Sequence, residues 1–284
     1  MTTAPTTTTD IKSVVREKYG AIAQNAEKRA GKGDGCGTSC CGDGALDMIG
    51  GAYAAVEGYV ADADLALGCG VPTQHAGIAV GDVVLDLGSG AGIDAFVARR
   101  LVGDHGQVIG VDMTETMIER ARANATKLGY RNVDFRLGEI EALPVADGTI
   151  DVVISNCVLN LVPDKAKAFA ETFRVLKPGG HFCVSDIVAT GSLPEGIQTA
   201  AALYVGCVAG AIPESDYLAR IREAGFADVR IAERKPVALP DEVLREHLSP
   251  TELREFRASG VGIQSVTVLG SKPAAACCGA DCCS

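Results

Sequence analysis

The sequence contains no tryptophan, and aromatic residues fill only 5% of its 284 positions. A groove that stacks successive bases of a single strand needs such rings, so their scarcity argues against that use. Basic clusters are missing as well: 26 Lys and Arg against 36 Asp and Glu leave a formal net charge of −10. That is the wrong sign for a phosphate backbone, and it is more simply a solubility feature. No uninterrupted apolar run of the kind that crosses a bilayer occurs. The Thr-rich start, Met1 to Asp10, lacks the basic and apolar segments of a secretory leader. The expectation is a cytoplasmic protein with no nucleic-acid and no membrane partner. No exposed apolar helix stands out, so a monomer is expected. His75, His105, His181 and His247 have no metal-ligand spacing.

Cysteine is the residue in excess. There are 11, at positions 36, 40, 41, 69, 157, 183, 207, 277, 278, 282 and 283. An odd count with three adjacent pairs does not look like the framework of a secreted disulfide scaffold. Thiols in such number suggest a soft metal or metalloid, or redox chemistry.

With 47% hydrophobic and 22% charged residues the chain can pack a sizeable core. Apolar spacing predicts a helix over 11–29, then a glycine-rich loop over 31–44 that bears three thiols. From residue 82 strands and helices alternate. Strands are expected at 83–87, 106–112, 133–137, 150–154, 181–187 and 228–233, and helices at 93–101, 115–128, 165–176 and 215–224. Such alternation means crossover units and a parallel sheet. The pattern predicts an α/β fold, a doubly wound, mostly parallel sheet. Residues 1–62 form an N-terminal helix and Cys-bearing loop, and 63–236 the main domain with an insertion at 188–213. Residues 237–272 are a small C-terminal extension, in which 264–269 alternates like a last edge strand, and 273–284 are a flexible Cys-rich tail.

The strongest motif is Leu85-Asp86-Leu87-Gly88-Ser89-Gly90-Ala91-Gly92, a strand running into a glycine turn where the backbone can approach a ligand closely. Asp112 ends the next strand about 20 residues on, where such folds place an acid on a ribose hydroxyl pair. Dinucleotide sites favour G-x-G-x-x-G with a pyrophosphate on the helix N-terminus. Here the spacing is G-x-G-x-G, and Asp86 stands two residues before the first glycine. An acid there would repel a pyrophosphate and suits a cationic ligand. The motif resembles motif I of the class I S-adenosylmethionine methyltransferases, which implies a Rossmann-like fold and that cofactor. Met113 beside Asp112, and Glu139 and Ile140 in the phrase Leu137–Pro144 after strand three, are candidate cofactor contacts. Asn156 is another, in Ser155-Asn156-Cys157-Val158-Leu159-Asn160, which stands where base-amine methyltransferases carry Asn/Asp-Pro-Pro-aromatic.

Three cysteine phrases narrow the resemblance. Ser155-Asn156-Cys157-Val158-Leu159-Asn160-Leu161-Val162-Pro163-Asp164-Lys165, Leu67-Gly68-Cys69-Gly70-Val71-Pro72 and Gly206-Cys207-Val208-Ala209-Gly210-Ala211 are similar to those of the arsenite methyltransferase family, in the same order. With Val111–Thr114 and Phe135–Ile140 the likeness covers residues 60–235. Ala66-Leu67 departs from it, because a more glycine-rich lead is expected there. The resemblance implies that Cys69, Cys157 and Cys207 bind trivalent arsenic, arsenite or a methylated trivalent arsenical, for detoxification. The chemistry agrees: trivalent arsenic is thiophilic, favours three sulfur ligands, and keeps a lone pair to accept a methyl group. The resemblance also implies that a thiol of the N-terminal loop, Cys40 or Cys41, pairs with Cys69, and that thioredoxin or glutathione reduces the pair. Cys277, Cys278, Cys282 and Cys283 are accessory thiols that could capture arsenite, and Cys183 is core. Two other functions stay open. A small-molecule C- or O-methyltransferase of the quinone or sterol type would need neither Cys157 nor Cys207, and a non-catalytic metalloid-sequestering protein would need no cofactor motif.

Overall fold

The computed structural model describes residues 8–30, 53, 56–200 and 208–274, with side chains of the first helix given for residues 12–24. Cys40, Cys41, Cys207 and the tail cysteines 277, 278, 282 and 283 lie outside the described residues.

Helix α1 (Thr8–Ala30) leads into a seven-stranded sheet of order β3-β2-β1-β4-β5-β7-β6. Its strands are β1 (Val83–Leu87), β2 (Gln107–Asp112), β3 (Val133–Leu137), β4 (Ile150–Asn156), β5 (Leu176–Ala189), β6 (Ala227–Val237) and β7 (Ile263–Ser271). The first five run parallel and β7 runs antiparallel to both neighbours. Helices α2 (Ile93–Val102), α3 (Glu115–Leu128) and α4 (Lys165–Val175) are the crossovers. Later helices are α5 (Glu195–Gln198), α6 (Glu214–Glu223), α7 (Asp241–Arg245) and α8 (Pro250–Ser259). The doubly wound α/β expectation stands, and the central strands are apolar because helices cover both faces.

Strand order reverses between β1 and β4, and the crevice beyond their carboxyl ends is where such sheets bind ligands. The glycine turn leaves β1 there, and Cys157 follows β4 directly.

Expectations about β7 and α4 are corrected. Residues 263–271 are not an edge strand, because β7 is inserted between β5 and β6 and leaves β6 at the edge. Its alternating polar residues face partners rather than water: Ser265 Oγ donates to the Cys69 carbonyl at 2.7 Å, and Thr267 shares a 2.9 Å hydroxyl bond with Ser185. The strand of the 237–272 segment is thus part of the main sheet. Helix α4 also stops at Val175, and β5 starts at Leu176, ahead of the Pro178-Gly179-Gly180 stop. A register shift between Ile150 and Val152 absorbs those residues.

Candidate active site

Past β1 the chain turns through Gly88, Ser89 and Gly90. Gly90 has φ +51°, and nothing lies within 4 Å of where a β-carbon would stand, so the turn offers bare backbone to a ligand. Asp112 holds the turn: its Oδ2 accepts from the Gly90 amide at 3.0 Å and its Oδ1 from the Thr114 amide at 2.8 Å. Turn and acid line a cleft walled also by Met113, Ile140, Glu141, Asn156 and Cys157.

Asp86, Asp94 and Asp112 are among the carboxylates that line this cleft. Asp86 is only 2% exposed, and its Oδ2 has no hydrogen-bond partner among the described residues. Burial holds its pKa well above the usual carboxylate range, and the charges of Asp94 and Asp112 push the same way. Burial raises Asp94 to about 6, although Tyr53 and Asn156 donate to it. Asp112 is raised by burial too, against the amides that bond it. Lys12 also lines the cleft, but it is taken up by Glu139 and Glu141 at 2.8 and 2.9 Å. Clustered acids with an orphaned buried oxygen fit a cationic guest without phosphate, and a sulfonium that carries an α-amino group is such a guest.

Not every expected contact reaches the cleft. Gly92 does not line it: with φ +100° it starts α2, and a β-carbon there would strike Phe96 and Phe135. Glu139 is drawn away by Lys12 and Arg16, the latter at 2.5 Å, and Glu141 lines the cleft in its place. Asn156 lines it, and its amide ties the Cys69 loop to Asp94 and Tyr53. Its Oδ1 accepts from the amides of Cys69 and Gly70 at 3.0 and 3.3 Å. Its Nδ2 donates to the Gly70 carbonyl at 2.8 Å, to Asp94 at 3.1 Å and to the Tyr53 hydroxyl. Asp94 and Tyr53 escaped the sequence reading. Asp94 reads as an ordinary first-turn helix acid, and Tyr53 has no neighbouring pattern to mark it.

The thiol side of the cleft is built by the turn after β4. Cys157 is 4% exposed, has φ +60°, and donates its amide to the Ser185 carbonyl at 2.7 Å. A non-glycine residue held left-handed costs about 1–3 kcal/mol, the kind of strain found at functional positions. Cys69 is 5% exposed and shares one apolar cluster with Cys157, Leu161, Val208 and Ala209. Thus two of the three expected ligands lie in one buried cluster. Cys207 lies outside the described residues, but Val208 beside it is buried in that cluster, and Gly210 packs on the Asn160 carbonyl. Ala66 has φ +56°, so the departure from a glycine-rich lead falls on backbone that glycine would adopt without strain. Cys183 belongs to the core: its Sγ sits 3.3 Å from the Pro72 carbonyl, and burial pushes it up to about 12.

The sequence profile of a methyltransferase domain matches residues 78–234. An arsenite methyltransferase of Halobacterium salinarum is 43% identical over 93% of this chain and 67% of its own length. The chain belongs to the arsenite methyltransferase family. A second family member, from Aquipseudomonas alcaligenes, is 39% identical over 74% of this chain and 65% of its own length. A crystal structure of the arsenic(III) S-adenosylmethionine methyltransferase from Chlamydomonas reinhardtii superposes with a TM-score of 0.59 and 39% identity, over 68% of this chain and 64% of that one. The chain thus spans about two thirds of the length of these relatives. S-adenosylmethionine is the cofactor of this family's fold. No helix among the described residues is long and apolar enough to cross a membrane.

The Asp94 shift predicts how cofactor affinity varies with pH. A carboxylate raised to about 6 is still largely protonated at pH 5, and the cationic cofactor favours the ionised form. Affinity for S-adenosylmethionine should therefore rise up to about tenfold from pH 5 to pH 7. Stability of the cofactor-free protein runs oppositely: the folded state holds a proton that the unfolded state releases near pH ~4, so stability falls as pH climbs from there through about 6. Calorimetric titration at several pH values checks the first, and thermal melts the second. Asp94→Asn should flatten both profiles, and an unchanged slope in that variant would assign the titration elsewhere.

Proposed function

We propose that this chain transfers a methyl group from S-adenosylmethionine to trivalent arsenic held on the thiolates of Cys69, Cys157 and Cys207, as a detoxifying reaction. The observation that carries this reading is that Cys157 lines the acid-walled cleft and shares one buried cluster with Cys69, far away in sequence. When bound, S-adenosylmethionine supplies an electrophilic methyl group on a positively charged sulfur. Asp86, Asp94 and Asp112 favour that charge, Gly88 to Gly90 and Asp112 shape its seat, and Met113 and Ile140 add apolar wall.

The thiol side presents the acceptor. Each thiolate displaces one hydroxyl from arsenite, so the metalloid loses its hydration and keeps its lone pair. Val15, Leu161 and Val208 make this region apolar and exclude water. Placing acceptor and donor side by side in fixed orientation is the chain's main contribution, because aligned neighbours react far faster than free partners. Methylation formally oxidises arsenic by two electrons. A thiol pair returns them by closing a disulfide, and for this we assign Cys69 with Cys40 or Cys41, re-reduced by thioredoxin or glutathione. The tail cysteines 277, 278, 282 and 283 are assigned to arsenite capture, and the protein to the cytoplasm as a monomer.

The test is incubation of the full chain with arsenite, S-adenosylmethionine and a thiol, with methylated arsenicals read by mass spectrometry. Methylarsenicals from the wild type support the function. Their absence, with the cofactor bound, would overturn it and favour a carbon or oxygen acceptor or simple sequestration.

A further inference from the structure

The cofactor cleft and the metalloid ligand Cys69 share one piece of chain. Residues 63–68 wall the cleft, and Cys69 follows them directly. This loop is seated with almost no clearance. A β-carbon at Gly68 would come within 2.6 Å of Asn156 Nδ2, and one at Gly70 within 2.6 Å of Ser185 Oγ. What it sits on is the Asn156 side chain, and that side chain also touches the cofactor side. One face of the amide binds Cys69 and Gly70; the other donates to Asp94, which lines the cleft beside Asp86. The Tyr53 hydroxyl closes the set, donating to both Asp94 oxygens at 2.8 Å while it accepts from Asn156. Asp94, Tyr53 and Asn156 thus form an unbroken hydrogen-bonded path from a carboxylate of the cofactor wall to the backbone of a metalloid ligand.

We propose that Asn156 is a positioning residue that couples the two sites, so that a cation in the cofactor cleft raises the affinity of the cysteine site for arsenite. The inference rests on the arsenite reading above. A cation in the cleft draws Asp94 to its ionised form, which is the stronger acceptor for the Asn156 and Tyr53 donors. Asn156 is then fixed, and its Oδ1 stands ready for the two amides that seat Cys69. Residues 65–68 line the same cleft, so an occupant would order this loop from the other side. Ordering done once by the first ligand is not required of the second, and that is positive cooperativity. Linkage makes the effect mutual: arsenite must tighten the cofactor by the same factor.

The experiment measures arsenite binding by calorimetry, in phosphine-reduced buffer, with and without saturating sinefungin, a cationic cofactor analogue that donates no methyl group. For the wild-type chain the expected result is affinity at least about fivefold tighter with sinefungin. In Asn156→Ala the ratio should fall to within twofold of unity, with sinefungin still bound. Tyr53→Phe removes one hydroxyl, keeps the ring, and should reduce the ratio without loss of fold. Ser265→Ala is the control for mere fastening, since its hydroxyl holds the Cys69 carbonyl from the far side. It should weaken arsenite binding and leave the ratio intact. A wild-type ratio below two, or an unreduced ratio in both Asn156→Ala and Tyr53→Phe, would overturn the coupling. A wild type that binds the analogue but neither binds nor methylates arsenite would remove the function beneath it, and the inference with it.

Discussion

Replacing Cys157 by serine should lower kcat/KM for arsenite by more than about 100-fold, the upper range seen when a mere supporting neighbour of a metal ligand is lost. Serine keeps the size and the left-handed backbone of this position, so the fold and the amide bond to Ser185 survive. What goes is a soft thiolate on a thiophilic centre, and a hydroxyl is a poor substitute for it. Affinity for S-adenosylmethionine should stay within about threefold, because Cys157 contributes wall and no charge to the acid side of the cleft. Calorimetry with the cofactor alone, beside mass spectrometry of the arsenic products, separates the two. Undiminished methylation by this variant would strip Cys157 of its role while leaving the family assignment untouched.

The second large effect has opposite signs in the two states of the protein. Asp86→Asn should weaken S-adenosylmethionine binding by about 2–5 kcal/mol, roughly 30-fold to several thousandfold, as for loss of one partner of a buried charge pair. The same change should raise the melting temperature of the cofactor-free protein. Without a cation, Asp86 is a buried acid beside two other acids, with one oxygen lacking a partner. Neutralising it relieves repulsion and desolvation together. A gain of about 1 kcal/mol corresponds to roughly 2–4 °C in a protein of this size. Such a trade of stability for function is expected where a site stores unfavourable charge until its ligand arrives. Melts of both proteins with and without the cofactor test it. A cofactor affinity within threefold of wild type would mean that Asp86 does not face the cationic guest.

Much of the architecture was legible in advance because its signals are local. Strands β1, β2 and β4 announce themselves as short, largely apolar runs, and the alternation of strands with helices predicts parallel pairing. The cofactor turn was legible for the same reason, since Asp86, Gly88 and Gly90 act through backbone shape and charge within a few residues. Strand β7 was misplaced because the same alternation describes two situations. A polar residue at every second place can face water, or it can face a buried partner. Ser265 and Thr267 do the latter, and only the folded chain brings Cys69 and Ser185 to them. Glu139 and Gly92 were assigned to the cofactor by their position in a motif. In the fold neither lines the cleft: Glu139 pairs with Lys12 and Arg16, and Gly92 lies against Phe96 and Phe135.

The sequence by itself determined the doubly wound sheet, the acidic glycine turn for a phosphate-free cation, and the cysteines eligible to hold arsenic. These follow from residue type and short spacing, because a turn, a cap or a buried strand is a property of a few consecutive residues. Tertiary structure decided which of the eligible groups meet. It buried Cys69 and Cys157 in one cluster, and placed Asp94 and Tyr53 on Asn156, although these residues lie far apart in the sequence. Contacts between such distant segments depend on how closely one loop can approach another, at Gly68 and Gly70 against Asn156 and Ser185. No local pattern in the sequence encodes that approach.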